Sequence, residues 1–428
     1  MRLTSLRLTN FRNYGKLDLS FNDGIHVFYG DNAQGKTNLL EAIFLCTCAR
    51  SHRTGRDEEL ILHGKNFYKS EVVFLTDRGL EEKVSFAYIL PEALNSSRSS
   101  RKMAYNDIEV SNISEMIGLF HAVIFAPEDL QIVKGGPGGR RRFLDLLISQ
   151  TSRPYFRALQ RYSQLLLQRN SLLKIIRERA NNKPASPQRA GKASNGQDLF
   201  SEGKDIQEDK ETPELPPMTI QEELSVWDHA LAAEAAHILK KRLDYVEKIS
   251  DYAGLSLAYL TEANEELSLK YRTIGGISHL QSEEEIAGIF YSRLQRSAED
   301  DVFRGSSSIG PHRDDLDINL NEYPARTYAS QGQQRSLVLS LKIAELLLLK
   351  ELTGERPILL LDDVMSELDS KRREHLLQIV SGHQVFMTGT DKEHMFENNK
   401  EAADFSGTET KQSINYYYVK GGKVTPAK

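Results

Sequence analysis

Cysteine is almost missing from this 428-residue chain: there are two, Cys46 and Cys48, both inside "EAIFLCTCAR". A disulfide framework is excluded, and a spacing of two puts the thiols on different faces of a predicted helix, poor geometry for a shared metal. Long apolar runs are missing as well. "ILLL" before Asp362 is far shorter than the ~20 residues that cross a bilayer, so no membrane span is expected. The opening "MRLTSLRLTNFRNYGK" alternates polar and apolar residues without the continuous apolar core of a secretion signal, so the expected location is cytoplasmic. Positive charge is also not in excess, the net charge being −5 and the pI about 6.2. That balance does not advertise a nucleic-acid binder, but distribution matters more than the sum. Basic residues cluster at 49–56, 96–102 and 138–143, the last containing Arg140, Arg141 and Arg142. Each cluster reads either as a solvated face or as a contact to phosphate backbone.

What is present suffices for a buried core, with 39% hydrophobic and 27% charged residues. Alternation predicts short strands over 2–9, 16–21 and 24–29, then a glycine-containing loop and a helix from about Thr37. A hairpin around "TDRGLEE" and a strand in "HAVIFAPEDL" make this first part mixed α/β. From "GGRRRFLDLLISQ" onward apolar residues recur at helical spacing. Two long helices flank residues 182–216, whose Pro, Ser, Gly and charged composition predicts a disordered insertion at the tip of an antiparallel helix pair. α/β character returns after about residue 300. The expected organisation is an α/β domain in two parts, 1–130 and 300–428, split by a helical lobe over 131–299.

Chemistry concentrates in three places. "GDNAQGKT" (Gly30, Asp31, Asn32, Ala33, Gln34, Gly35, Lys36, Thr37) fits GxxxxGK[ST] between a predicted strand and a predicted helix. In such a loop the backbone amides cradle phosphates, Lys36 reaches the β- and γ-phosphates of ATP, and the Thr37 hydroxyl ligates Mg²⁺. Asn38, next in the chain, is counted with this nucleotide-binding set. "PILLLDD" is an apolar strand ending in two carboxylates, with Asp362 assigned to Mg²⁺ and Asp363 to orienting or deprotonating the attacking water. A helix N-cap is the plainer reading of that pair. The third place is "YASQGQQRSLVL", where Ser330 could simply cap a helix. Gly332 argues for more, because glycine in a first turn costs roughly 1 kcal/mol unless something must approach the backbone. Ser330, Gly332 and Gln333 therefore read as an anion site at a helix N-terminus.

"SQGQQR" resembles the signature motif of ABC-type ATPases. The resemblance implies an α/β fold in which an ABC-type P-loop ATPase head is split by a helical lobe with a short antiparallel arm. It also implies that the signature of one subunit closes over ATP held by the P-loop of another. "SELD", Ser366 to Asp369, resembles the loop that couples the two sites, and "FMTGT" stands where a switch histidine often lies, leaving Thr388 or Thr390 as its substitutes. "FAPEDL" occupies the Q-loop position, with Glu128 or Asp129 as its carboxylate. "GPHRDDL" at 310–316 reads as a metal cluster, a catalytic group or an ion-paired turn. Adding "LTNFRNY" (8–14), "SHRT" (51–54), "VKGGP" with "RRRFLD" (133–145) and "ASQGQQR" (329–335), nearly the whole chain resembles the RecF family of SMC-like ABC ATPases. Membership would imply an ATP- and Mg²⁺-dependent homodimer that binds gapped or junction DNA. It would also imply work with RecO and RecR to load RecA in DNA-damage repair and replication restart. Slow ATP hydrolysis and a non-catalytic ATP-gated clamp both fit the "DD" pair, and a transporter subunit lacks a membrane partner.

Overall fold

A computed structural model describes residues 1–94, 97–181, 219–390 and 413–427. The insertion expected at 182–216 lies outside the described residues. Two six-stranded sheets form the head. The first is antiparallel, in the order Tyr14–Ser20, Arg2–Phe11, Phe67–Leu75, Glu81–Ile89, Ser100–Tyr105 and Ile108–Val110. A register shift between Leu3 and Ser5 lets both Leu3 and Leu6 point into the core despite their odd spacing. The second sheet runs Lys423–Ala427, Ile414–Lys420, Ile25–Tyr29, Val385–Gly389, Ile358–Asp362 and Ala122–Phe125. All its neighbours pair in parallel except at the Lys423–Ala427 edge. Parallel strands covered on both faces need no polar side, and "ILLLD" and "VFMTG" are buried at every residue.

Helix Lys36–Cys48 packs against both sheets, and from Leu39 to Cys48 it is buried throughout. Its sequence "LLEAIFLCTC" accordingly has no polar face. Cys46 and Cys48 are separate buried thiols within this packing, and burial pushes the Cys46 thiol up to about 12.

Helices Arg153–Asn181 and Ile220–Thr261 run antiparallel, as the pairs Arg179–Glu223, Arg169–Asp228 and Arg161–Glu234 show. Helix Glu283–Arg304 joins them around Arg169, which is fully buried between Asp228 (2.6 Å), Asp301 (2.8 Å) and Ser307 Oγ (2.8 Å). A three-stranded sheet of Leu267–Arg272, Asp315–Leu320 and Tyr323–Pro324 lies beside this lobe. That sheet and helix Glu283–Arg304 both straddle residue 299, because periodicity marks a helix but not what it packs against. Helix Gln331–Thr353 then lies along Ile220–Thr261 and ties the lobe to the head.

Candidate nucleotide site

The loop from Gly30 to Gly35 turns through left-handed backbone at Gly30 (φ 146°), Ala33 (φ 62°) and Gly35 (φ 113°). A Cβ at Gly30 would lie 2.4 Å from the Val419 carbonyl, and one at Gly35 2.4 Å from Asn13 Nδ2. Both positions therefore need glycine for space as well as for conformation. The loop is braced from outside. Asn13 Nδ2 donates to the Gln34 carbonyl (2.8 Å), Tyr14 OH to the Gly35 carbonyl (3.0 Å), and Gly421 N to Gln34 Oε1 (2.7 Å). Gly422 N also donates to the Gln34 carbonyl (3.3 Å). Asn38 belongs to this brace through its Nδ2 donation to Asn13 Oδ1 (2.9 Å).

Lys36 folds over the loop and donates to the carbonyls of Gly30 (2.5 Å) and Asp31 (2.9 Å). Burial pulls its pKa down, against the pull of Asp363 and Asp362 in the other direction. Thr37 Oγ1 donates to Asp362 Oδ1 (2.8 Å), and so does Thr388 Oγ1 (2.7 Å). Burial raises the Asp362 pKa in spite of these two donors, and the negative charge of Glu128 adds to the rise. A buried carboxylate supported by neutral hydroxyls is poorly compensated as an anion, and a divalent cation beside it would supply the missing charge. The donor set of one carboxylate and a P-loop hydroxyl suits Mg²⁺.

Asp363 follows at the strand end, exposed and left-handed (φ 53°). Its amide donates to Thr388 Oγ1 (3.0 Å), and Ser366 Oγ donates to its carbonyl (2.8 Å) and its Oδ1 (3.1 Å). Thr388 is thus bound to both strand-end aspartates, whereas Thr390 is exposed. In "FAPEDL", Asp129 is half-buried and accepts from the Ala126 amide (2.8 Å). Glu128 instead is exposed and lies 3.8 Å from Arg53, so of the two carboxylates it is Glu128 that faces the Asp362 side.

Ser330 caps helix Gln331–Thr353 with a reciprocal box: its Oγ accepts from Gln333 N (3.3 Å) while its own N donates to Gln333 Oε1 (2.7 Å). The plain capping reading is therefore correct as local geometry. It does not account for Gly332, where an added Cβ would meet only Arg372 Nη2 at an ordinary 3.7 Å. Arg372 ties this helix to the "SELD" loop, donating to Gly332 O (3.1 Å) and Ser336 Oγ (2.8 Å) while paired with Asp369.

"GPHRDDL" is an ion-paired turn. His312 Nδ1 meets Tyr162 OH (2.6 Å), Asp314 accepts from Tyr271 OH (2.8 Å), and Asp315 takes a two-pronged bond from Arg140 (2.6 and 2.8 Å). Among the described residues no group of His, Cys, Asp and Glu is arranged for a metal ion. Arg140 is corrected by this geometry: it is buried against Asp315 and is not available to phosphate. Arg141 donates to the Asp314 carbonyl (2.6 Å), and the exposed Arg142 to the Ser51 carbonyl (2.5 Å). Arg12, outside all three motifs, grips the buried Glu41 with Nε (2.9 Å) and Nη2 (2.8 Å). The Asn13 and Gly421–Gly422 brace likewise lies outside them. Only the polar "RNY" after a strand, in "LTNFRNY", signalled any of these.

A P-loop running from a parallel strand into a helix, a carboxylate strand one place removed from it, and a helical insertion define an ABC-type ATPase head. A family described as the RecF/RecN/SMC N-terminal domain matches residues 2–413. The sequence is 37% identical over 424 residues to the DNA replication and repair protein RecF of Ruminiclostridium cellulolyticum, covering 99% of each chain. It is 37% identical over 425 residues to that of Lysinibacillus sphaericus, again covering 99% of each. A solved structure of the recombination mediator protein RecF with ATP, in the RecFOR pathway, superposes with a TM-score of 0.79 at 32% identity, covering 100% of this chain and 98% of that one. The chain belongs to the RecF family.

Proposed function

We propose that this protein is an ATP-dependent DNA-binding protein of recombinational repair and replication restart. It dimerises on ATP, binds gapped or junction DNA, and helps RecO and RecR load RecA. Gly332 carries this reading. It sits half-buried in the first turn of its helix, at a cost of roughly 1 kcal/mol, and nothing among the described residues requires a glycine there. An approach from outside, by the nucleotide of a second copy, gives both Gly332 and the exposed Ser330 a purpose. Gly30 to Thr37 would hold the phosphates, Lys36 would exchange its two loop carbonyls for phosphate oxygens, and Thr37 with Asp362 would hold Mg²⁺. Bound ATP and Mg²⁺ supply the scissile phosphoanhydride and the charge that offsets it. Asp363 stands at the strand end to orient water. The hydrogen bond from Ser366 to Asp363 Oδ1 favours a second reading, in which that carboxylate is held from water and the dimer is a clamp with little turnover.

The RecF relatives are DNA replication and repair proteins by name, which supports the pathway. No helix among the described residues is long and apolar enough to cross a membrane, in keeping with a cytoplasmic DNA partner. The test is the mass of the protein in solution with ATP, with ADP and without nucleotide, each with and without gapped DNA. A dimer formed with ATP and held by gapped DNA is expected, and a monomer under all conditions would overturn the reading.

A further inference from the structure

Two tyrosines stand beside Ser330 without a role in the site just described. Tyr323 opens the return strand of the hairpin that turns through the left-handed Asn321 and Glu322, and Tyr328 closes the short helix Ala325–Tyr328. They are 63% and 68% exposed, among the most exposed large apolar side chains of the described residues. Their rings touch edge to face, with centroids 5.6 Å apart and planes at 61°. Packing against the core therefore does not explain them. Ala325, between them in sequence, is fully buried and fixes the short helix in place, so the pair is held on a rigid mount. Arg326 on the same turn is exposed. From Tyr328 to Ser330 the chain is two residues long and extended at Ala329 (φ −73°, ψ 133°), a span of roughly 7 Å. Exposed aromatic faces next to an exposed cation make a stacking surface for a nucleobase.

We propose that Tyr323 and Tyr328 form a platform that stacks a nucleobase at the mouth of the signature helix. Two sources share this chemistry: the adenine of the nucleotide held by a second copy, and an unpaired base at a DNA gap. The first source rests on the reading of Ser330 given above, and the second does not. The edge-to-face contact puts one ring edge against the other's face, and both side chains stay largely exposed for a base.

The test compares Tyr323→Ala/Tyr328→Ala with Tyr323→Phe/Tyr328→Phe in the full chain, with melting temperature measured on both. Sedimentation with ATP and with UTP reads the first source, and affinity for gapped against fully paired DNA reads the second. Stacking of one base implies a loss of roughly tenfold in the affected affinity for the alanine pair, with the phenylalanine pair near the parent. Weaker ATP-driven dimerisation with lost preference over UTP identifies adenine. A loss confined to gapped DNA identifies the unpaired base. Parent-like behaviour of the alanine pair in both assays overturns the platform, and so does an equal loss in the phenylalanine pair. Ser330→Arg run in parallel keeps the outcomes separate: if it dimerises normally with ATP, the composite site fails while the DNA arm still tests the platform.

Discussion

The P-loop end of the head and the signature end are built in opposite ways. Around Gly30 to Thr37 three polar side chains find partners inside the chain: Lys36 on loop carbonyls, Thr37 on Asp362, Gln34 on the Gly421–Gly422 turn. At Ser330 the hydroxyl and amide find partners, among the described residues, only in their own first turn, and the neighbouring aromatics are exposed. An enclosed half-site can be prepared in a monomer. An open one gains its purpose from something that arrives.

Breaking the enclosed half should have the largest effect. Lys36→Ala removes two charge-assisted hydrogen bonds to phosphate, worth roughly 3 kcal/mol together, so ATP affinity by calorimetry should fall about a hundredfold. Lys36→Arg should keep binding and lose turnover, because the charge stays and the donor geometry changes. On the open half, Ser330→Arg should leave ATP binding by the monomer unchanged and abolish the ATP-dependent dimer in analytical ultracentrifugation. A cap alone predicts only about 1 kcal/mol of lost stability with the dimer intact.

The turn that leads toward the signature offers a pH handle. Burial raises Asp314 to about 6, above the roughly 3.9 of an unfolded aspartate. The folded state therefore prefers the protonated form, and the stability it gains is full below the unfolded pKa and lost as pH rises through 6. Between pH 5 and pH 8 the parent should lose about 1.4 kcal/mol relative to Asp314→Asn in urea unfolding. On the enclosed side, Gly422→Ala would bring a Cβ to 2.3 Å from the Asn13 carbonyl at φ 72°. A cost of about 1–2 kcal/mol and a several-fold weaker ATP affinity are expected, although Gly422 is far from the loop in sequence. The smallest effect is assigned to Arg142→Gln: about 1 kcal/mol or less in stability, and a salt dependence of DNA binding shallower by about one unit if Arg142 meets phosphate. An unchanged slope would return it to the solvated surface.

The continuous motifs of both halves were legible in sequence. "SQGQQR" and "GDNAQGKT" are continuous stretches whose chemistry follows from local spacing, and Asp362 follows from an apolar strand that ends in acid. What escaped was long-range. Arg140 looked like one of three surface cations because Asp315, its partner, lies 175 residues away. The brace on Gln34 was hidden for the same reason, since Gly421 is 387 residues distant. Strand Leu267–Arg272 was overlooked inside a helical region because its partner Asp315–Leu320 lies beyond the next helix.

The P-loop strand has a history that its final surroundings conceal. Ile25–Tyr29 takes both its neighbours, Val385–Gly389 and Ile414–Lys420, from the last part of the chain. A ribosome adding roughly 5–20 residues per second therefore exposes this apolar strand for some tens of seconds before either neighbour exists. The nucleotide loop cannot be finished until Gly421 and Gly422 emerge. Nascent chains stalled short of that hairpin should thus be clients for chaperones, and ATP should be unable to rescue them, because what it would bind has not yet been made.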